Sequence, residues 1–409
     1  MRFRTLRAPV CAPLTFFVAT ALSATAYAQT APAPLTEQDA IARALGDGVF
    51  ADRAAGERDA ARAGVDAITR FDNPRASVSR GSLSGPGEDE TEWEFEIVQP
   101  LDLTGRRSAM RAAARSEAEA IDADLDWRAV ERRADVRRAW VGCAAAGARV
   151  DVHRGFVGLL AEAERIVTAR ADAGDTAVYD VRRVRVEARA AEGEARLAEG
   201  ELAAVCATLS QLTGVADARS AGALTVPNGV RQASVERADL TARERRLAAA
   251  SETARAADRS RWPEVEVGLG WRRVENMGFE ADGPQIMVGA TIPLFDRGTA
   301  RVREARGRER SAAAELTLAR REVEAEIAAA DARLRGAIAA VEAAGAARDD
   351  AGRLGAIAET AYQSGEIGVT ELVDAYRAAH DAELSIIELT ERANLAAIEL
   401  ELAQGGPNP

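Results

Sequence analysis

Residues Gln285–Arg310 read QIMVGATIPLFDRGTARVREARGRER, and this stretch decides the fold. Ile286, Val288, Ala290 and Ile292 alternate with other residues, the period of two that marks a strand. Pro293 ends the strand because proline has no N–H to give a ladder. Asp296, Gly298 and Thr299 are turn and cap residues. Beyond Thr299 the apolar spacing becomes helical and stays so to about Tyr362. The same junction stands earlier, in Glu94–Arg115, EFEIVQPLDLTGRRSAMRAAAR. Pro100-Leu101 matches Pro293-Leu294 and Gly105 matches Gly298, both 193 positions apart. Two copies of strand, proline, glycine turn and long helix are what the fold has to explain.

The chain has 409 residues, enough by length for two to three ordinary domains, but aromatics make up only 4% while charged residues make up 29%. Alanine interleaved with Arg and Glu at helical spacing predicts long exposed helices meeting through small side chains. A net charge of −12, with no basic cluster interleaved with aromatics, weighs against a nucleic-acid partner. Residues 1–28 read as an export signal: Arg2, Arg4 and Arg7, the apolar run Ala12–Leu22, then Ala26-Tyr27-Ala28 as cleavage site, with a mature start at Gln29. No later stretch approaches the ~20 apolar residues of a membrane helix. If the mature chain enters a membrane, strands must do it.

In chain order, Leu35–Asp39 opens a helix with Thr36 and Asp39 placed as a capping box. It breaks near Gly46 and resumes from about Val49 to Phe71, where Asp72-Asn73-Pro74 stops it. A strand over Arg75–Leu83 and the turn Gly85-Pro86-Gly87-Glu88-Asp89 follow. Glu92–Val98 then sets Trp93, Phe95 and Ile97 on one face and Glu92, Glu94 and Glu96 on the other. A helix runs from Thr104 to about Asp172, breaks at Ala173-Gly174-Asp175, and returns to about Leu212. Ala188, Ala191, Ala195, Ala198, Leu202, Val205, Leu209 and Leu212 form a coiled-coil seam on that return.

The second half repeats the plan. A helix over Ser234–Ser260 and the stop Trp262-Pro263 precede a strand, Glu264–Trp271, with Val265, Val267, Leu269 and Trp271 against Glu264, Glu266, Gly268 and Gly270. Arg272–Pro284 reads as a polar loop before the opening strand. The last break is Ser364-Gly365-Glu366, and Val369 to about Ala403 returns. Gly174 and Gly365 lie 69 and 67 residues after their junction glycines. An arm of ~65 residues is on the order of 100 Å long, a device for crossing distance.

The expected fold is mainly α with a small β part. Its organisation is a signal peptide at 1–28 and two structural repeats at 29–226 and 227–409. The first holds a helix, a β-hairpin at 74–101 and a helical hairpin at 104–213. The second holds a helix, a β-hairpin at 263–294 and a helical hairpin at 299–403. Four strands per chain, each with one apolar face, suit a closed barrel in lipid, and four cannot close one alone, so several chains must contribute. Trp93 and Trp271 then belong to an interfacial girdle, and Glu92, Glu94, Glu96, Glu264 and Glu266 line a lumen that favours cations. In a soluble sheet the same residues would be core tryptophans and a solvated acid face.

This doubled plan, with LDLTGRRSAMR and IPLFDRGTARVREA at its junctions, is similar to the TolC-type outer-membrane efflux factors over about Leu35–Gln404. The junctions look most like the branch serving heavy-metal cation efflux (cobalt-zinc-cadmium type). The resemblance implies a homotrimer: a twelve-stranded transmembrane barrel in the outer membrane, continued by a twelve-helix α-barrel through the periplasm. It implies a periplasmic adaptor (membrane fusion) protein docked on the tips Gly174, Asp175, Gly365 and Glu366, and an inner-membrane pump of the resistance-nodulation-division class. Tyr362, Gly365, Glu371 and Asp374 match the family's pattern at the narrow end of the tunnel, where Glu371 and Asp374 would ring the aperture. Ile367 stands where some relatives carry a basic latch residue, so that closing interaction is not expected. The implied function is a passive exit duct for heavy-metal cations. A multidrug or type I secretion duct, or a secreted coiled-coil scaffold without a pore, are the alternatives.

Cys143 lies 31 residues before Gly174 and Cys206 lies 32 after it, so the two stand at equal height on an antiparallel hairpin. A disulfide pinning the arms and a pair of small buried thiols both remain open, decided by helix rotation. His153 and His380 fall in different halves, with no Cys or His nearby in sequence, and read as ordinary helix residues. Met110, Met277 and Met287 are widely spaced, so no metal-ligand spacing exists and no cofactor is expected. Walker loop, dinucleotide glycines and Ser elbow are all missing from the sequence, which leaves an enzyme reading without support.

Overall fold

In the computed structural model the described residues are 34–85, 88–228, 237–276 and 278–406. The expected export signal, the helix start at Ser234 and Met277 lie outside them. The chain runs β1 (Pro34–Leu35), α1 (Glu37–Leu45), α2 (Gly48–Thr69), β2 (Arg75–Gly85), β3 (Glu88–Leu101), α3 (Arg106–Asp172), α4 (Val178–Thr213), β4 (Arg219–Ser220), α5 (Ala238–Arg259), β5 (Glu264–Asn276), β6 (Phe279–Thr291), α6 (Thr299–Ser364) and α7 (Val369–Ala403).

The two junctions follow one design. Gly105 and Gly298, at φ 72° and 68°, are each the residue before a long helix, in the left-handed region that favours glycine. Before each stands an aspartate that holds the turn. The Thr104 N–H donates to Asp102 Oδ1 at 3.1 Å, and the Gly298 N–H donates to Asp296 Oδ1 at 2.9 Å. Thr299, read as a cap residue, is already the first residue of α6; the N-cap is Gly298, which makes no side-chain cap bond, and Asp296 holds only the turn before it. At the N-terminus Thr36 does cap α1, its hydroxyl accepting from the Asp39 N–H at 3.1 Å.

β2, β3, β5 and β6 form one antiparallel sheet in that order. Its middle seam joins the two halves of the chain, with Phe95 opposite Trp271 and Ile97 opposite Leu269. The stretch Arg272–Pro284, expected as a loop, is largely strand: β5 continues to Asn276 and β6 begins at Phe279. Ladder pairing carries these polar residues. Arg272 lies opposite Glu94 and Arg273 opposite Trp93, so charge at a strand end does not stop the strand.

α3 and α6 have 67 and 66 residues, about 100 Å each, while α4 and α7 have 36 and 35. A single return helix cannot cover so long a partner. α3 therefore packs on α4 toward its C-terminal end and on α2 and α5 toward the sheet, and α6 packs on α7 and α5. The core is a file of small clusters rather than one interior. One lies near the helix turns, around Leu160, Val184, Leu372 and Tyr376. Another surrounds Val136, Trp140, Leu209 and Ile398. There the buried Trp140 indole donates to the Leu35 carbonyl at 2.8 Å and anchors the start of the described chain.

Candidate functional site

The sheet is inside out by the standard of a soluble protein. Trp93, Phe95, Ile97, Leu269 and Trp271 are all exposed, as are Ile286 at 77% and Val288 at 71%. Strand alternation puts them together on one face. The opposite face holds Glu92, Glu94, Glu96, Glu264 and Glu266. Glu92 pairs with Arg272, and Glu264 pairs with Arg106 at 2.7 Å. Ser77 and Ser79 donate to Glu96 and Glu94 across the β2–β3 ladder, at 3.4 and 3.5 Å. Two acceptors on this face, Glu96 Oε1 and Gln285 Oε1, are buried without a partner among the described residues. They stand in one cross-strand row with Gly270 between them, where two oxygens without donors favour a cation or water. Arg272 and Gln285 were not singled out from sequence, because only strand register reveals that they share a face with the glutamates; Arg106, the first residue of α3, meets Glu264 only across 158 positions of chain.

Both helix turns end in the same motif. The Asp175 N–H donates to the Arg170 carbonyl at 2.8 Å and the Gly174 N–H to the Ala171 carbonyl at 3.0 Å. At the other turn, Glu366 N–H donates to Ala361 at 2.9 Å and Gly365 N–H to Tyr362 at 3.1 Å. This is the Schellman pattern, with glycine at φ 83° and 80°. Gly174, Asp175, Gly365 and Glu366 are exposed, and so are Val178 and Tyr179 beside them. Sequence reading missed the residue that joins the two turns, Arg170. Its guanidinium sits 4.6 Å from the Tyr362 ring centroid and donates to the Tyr362 and Gln363 carbonyls, at 3.2 and 3.1 Å. Burial pushes the Tyr362 hydroxyl above its usual value, against the pull of Arg170.

Glu371 and Asp374 are exposed on one side of the first turns of α7. Asp374 lies 3.7 Å from Arg377, which also pairs with Glu187 of α4, and Glu371 sits at the positive end of the helix dipole. Ile367 packs onto the apolar cluster behind the turn.

Cys143 and Cys206 face each other across the α3–α4 seam as a disulfide, with Cα atoms 4.9 Å apart. His153 and His380, read as isolated, are brought together: His153 Nδ1 is 3.2 Å from His380 Nε2, between α3 and α7. Burial first, then the neighbouring His380, holds His153 below its ordinary value, with Glu194 opposing. Contact between separate halves is invisible to spacing along the chain.

Residues 53–215 and 229–406 match the family model described as outer membrane efflux protein. The chain belongs to the outer membrane efflux protein family. The nickel-cobalt-cadmium resistance protein NccC of Alcaligenes xylosoxydans xylosoxydans is 28% identical over 344 residues, 77% of this chain and 75% of that protein. Among solved structures, the outer membrane protein VceC of Vibrio cholerae superposes with a TM-score of 0.77 at 19% identity, covering 91% of this chain and 97% of that one. CusC, described by its transmembrane channel formation, gives 0.77 at 18% identity, covering 93% and 96%. An efflux protein of the outer membrane serves as a channel, so its working surfaces are those that line a path. The sheet face, the helix turns and the first turns of α7 are the surfaces to consider.

Proposed function

We propose that this outer-membrane efflux channel protein is the passive exit duct of a tripartite system. Three copies would join their sheets into a twelve-stranded transmembrane barrel and their helices into a periplasmic tunnel. The observation that carries this reading is the sheet with its apolar face bare and its acid face turned away. A continuous bare patch of this kind needs lipid or a partner to cover it, and lipid tolerates only strands whose edges are closed. Trp93 and Trp271 fit a girdle at one end of the apolar band, and the exposed Trp262 and Phe295 fit a second girdle at the other.

In this assembly Gly174, Asp175, Gly365 and Glu366 form the tips on which an adaptor protein docks, fed by an inner-membrane pump of the resistance-nodulation-division class. Glu371 and Asp374, repeated by three-fold symmetry, ring the narrow end. Of the lumen glutamates, Glu92 and Glu264 are neutralised by Arg272 and Arg106, and Glu94, Glu96 and Glu266, without a cation partner among the described residues, continue the negative lining upward. Carboxylates along a narrow path favour cations. That chemistry, with the nickel, cobalt and cadmium named for the relative NccC, supports heavy-metal cations as cargo.

Heating tests the assembly. A detergent extract of outer membranes should show a trimer band in cold SDS that shifts to monomer on boiling, and a monomer in both lanes overturns the barrel. Conductance in planar bilayers tests the ring. Glu371→Gln with Asp374→Asn should lower the cation-over-anion permeability ratio several-fold, and an unchanged ratio removes these residues from the path. Deleting the gene should reduce tolerance to nickel, cobalt, zinc or cadmium. Loss of drug tolerance alone would assign the duct to drugs.

A further inference from the structure

We propose that His153 and His380 form a two-histidine chelate for one late first-row divalent cation (copper, nickel or zinc) that ties α3 to α7. The inference holds whatever the duct carries. It begins with Asp381, whose Oδ1 lies 3.1 Å from His380 Nδ1. A carboxylate there takes the Nδ1–H, which leaves the lone pair of His380 Nε2 facing His153. The His380 side chain is 6% exposed, and its ring stacks on Phe156 with centroids 4.4 Å apart. Its orientation is therefore fixed before any ligand arrives.

His153 completes the pair. With no metal bound, its Nδ1–H bridges the 3.2 Å to His380 Nε2. His153 is half-buried, so its proton can exchange through water to Nε2, which bares Nδ1 with no net proton released. Two imidazole nitrogens at about 2.0–2.1 Å from one ion, separated by a ligand angle near 90–110°, are themselves about 2.9–3.4 Å apart. The observed separation falls in that range. A fixed ring, a carboxylate behind it and a second nitrogen at ligand spacing are the parts of a metal site with a prepared outer shell.

The donor set also sets the class of ion. Paired imidazoles suit copper, nickel and zinc and not magnesium or calcium, which take oxygen ligands. Among the described residues no group of three or more His, Cys, Asp or Glu gathers. Water fills the other positions, so binding is exchangeable rather than structural. Because α3 and α7 belong to different helical hairpins, occupancy is linked to the distance between them.

The test uses the full-length protein in detergent, with no polyhistidine tag, titrated with CuCl2 and separately NiCl2. About one ion per chain is expected, with MgCl2 not competing. The Cu2+ electron paramagnetic resonance spectrum should show hyperfine structure from two imidazole nitrogens. His153→Gln and His380→Gln should each weaken binding at least about tenfold. Asp381→Asn, at an exposed carboxylate that leaves the packing intact, should weaken it by about 10–100-fold. Equal binding by wild type and the double His→Gln variant overturns the proposal. So does a wild-type Cu2+ spectrum with one nitrogen or none, which decides the matter even if the variants fail to fold.

Discussion

The first helical hairpin, α3–α4, and the second, α6–α7, share length, glycine junction and turn motif, yet the chain treats them differently. α3 is stapled to α4 by Cys143–Cys206 and carries Trp140, which holds Leu35. α6–α7 has no disulfide, but α7 packs against α3 as well as α6 and leaves no large hydrophobic exposed. α4 leaves Val186 and Leu197 bare, and α6 leaves Leu318, Leu354 and Ile357 bare. By packing, α3 lies against α4, α5 and α7 and so stands with α7 in the middle of the helices, although it leaves Met110 and Leu159 exposed, while α4 and α6 lie at the margins. In the proposed trimer those bare residues are where further copies would meet. The two hairpins share a shape, and side-chain differences decide which helices are covered within the chain and which are left bare.

The disulfide gives the largest break in the comparison. It closes a span of 63 residues, for which loop-closure entropy gives about 4 kcal/mol. Cys143→Ser with Cys206→Ser should therefore lower the denaturation midpoint and raise amide exchange in α3 and α4 while sparing the α6–α7 turn. Alkylation before and after reduction, read by mass, checks the bond itself. Two free thiols in the unreduced protein would leave the first hairpin without a covalent tie, held like the second by side-chain packing and ion pairs.

The junction glycines sharpen the comparison next. An alanine at either Gly105 or Gly298 pays the left-handed penalty of about 1–2 kcal/mol. At Gly105 the added methyl would also come within 2.8 Å of Arg259 Nη1, which donates to the Gly105 carbonyl. At Gly298 the nearest atom is Ser260 Oγ at 3.4 Å. Gly105→Ala should therefore cost about 1 kcal/mol more than Gly298→Ala, through the lost hydrogen bond. Equal midpoints for the two variants would mean that Arg259 finds another partner at no cost.

These differences also show what could be read in advance. Helices, turns and strand faces follow from local spacing: period two at Phe95 and Ile97, the seam from Ala188 to Leu212, glycine at the reversals. Each is decided within a few residues, so the chain states it openly. Charge misled at Arg272–Pro284, where ladder pairing with β3 outweighs local polarity. Arg170 over Tyr362, Arg272 against Glu92 and His153 against His380 were hidden for a single reason. Each joins segments more than 150 residues apart, and which face meets which is a property of helix rotation and strand register. Cys143 and Cys206 were an intermediate case, since height could be counted from the turn while rotation could not.

Arg170 tests whether the two turns act together. Arg170→Ala removes two hydrogen bonds to the α6 terminus and the contact with the Tyr362 ring, about 1–2 kcal/mol locally. Amide exchange should rise at residues 361–366 and stay unchanged at 171–175, whose own Schellman bonds are intact. A rise on both sides would show the hairpin ends to be one cooperative unit.

The smallest expected effect separates the junctions by salt. Burial pushes the Asp102 carboxyl up, but the N–H of Arg107 and the hydroxyl and N–H of Thr104 outweigh it and hold it below 3.8. Asp296 is also held below 3.8, first by the Arg301 guanidinium and then by the Gly298 N–H. In both cases the folded value lies below the unfolded one. The stabilisation is therefore fully present above about pH 4 and is lost as pH falls through the lowered value. The Asp296–Arg301 pair is exposed, at 68% and 60%, so salt screens it; backbone hydrogen bonds to Asp102 are not screened in this way. Raising salt from 0.05 to 1 M should move the Asp296 titration toward 3.8 and leave that of Asp102 in place. Carboxyl-carbon shifts of labelled aspartate, assigned with Asp102→Asn and Asp296→Asn, would read this out. If both titrations move together, the turns are held by the same kind of force, and the first junction loses its claim to a salt-independent anchor.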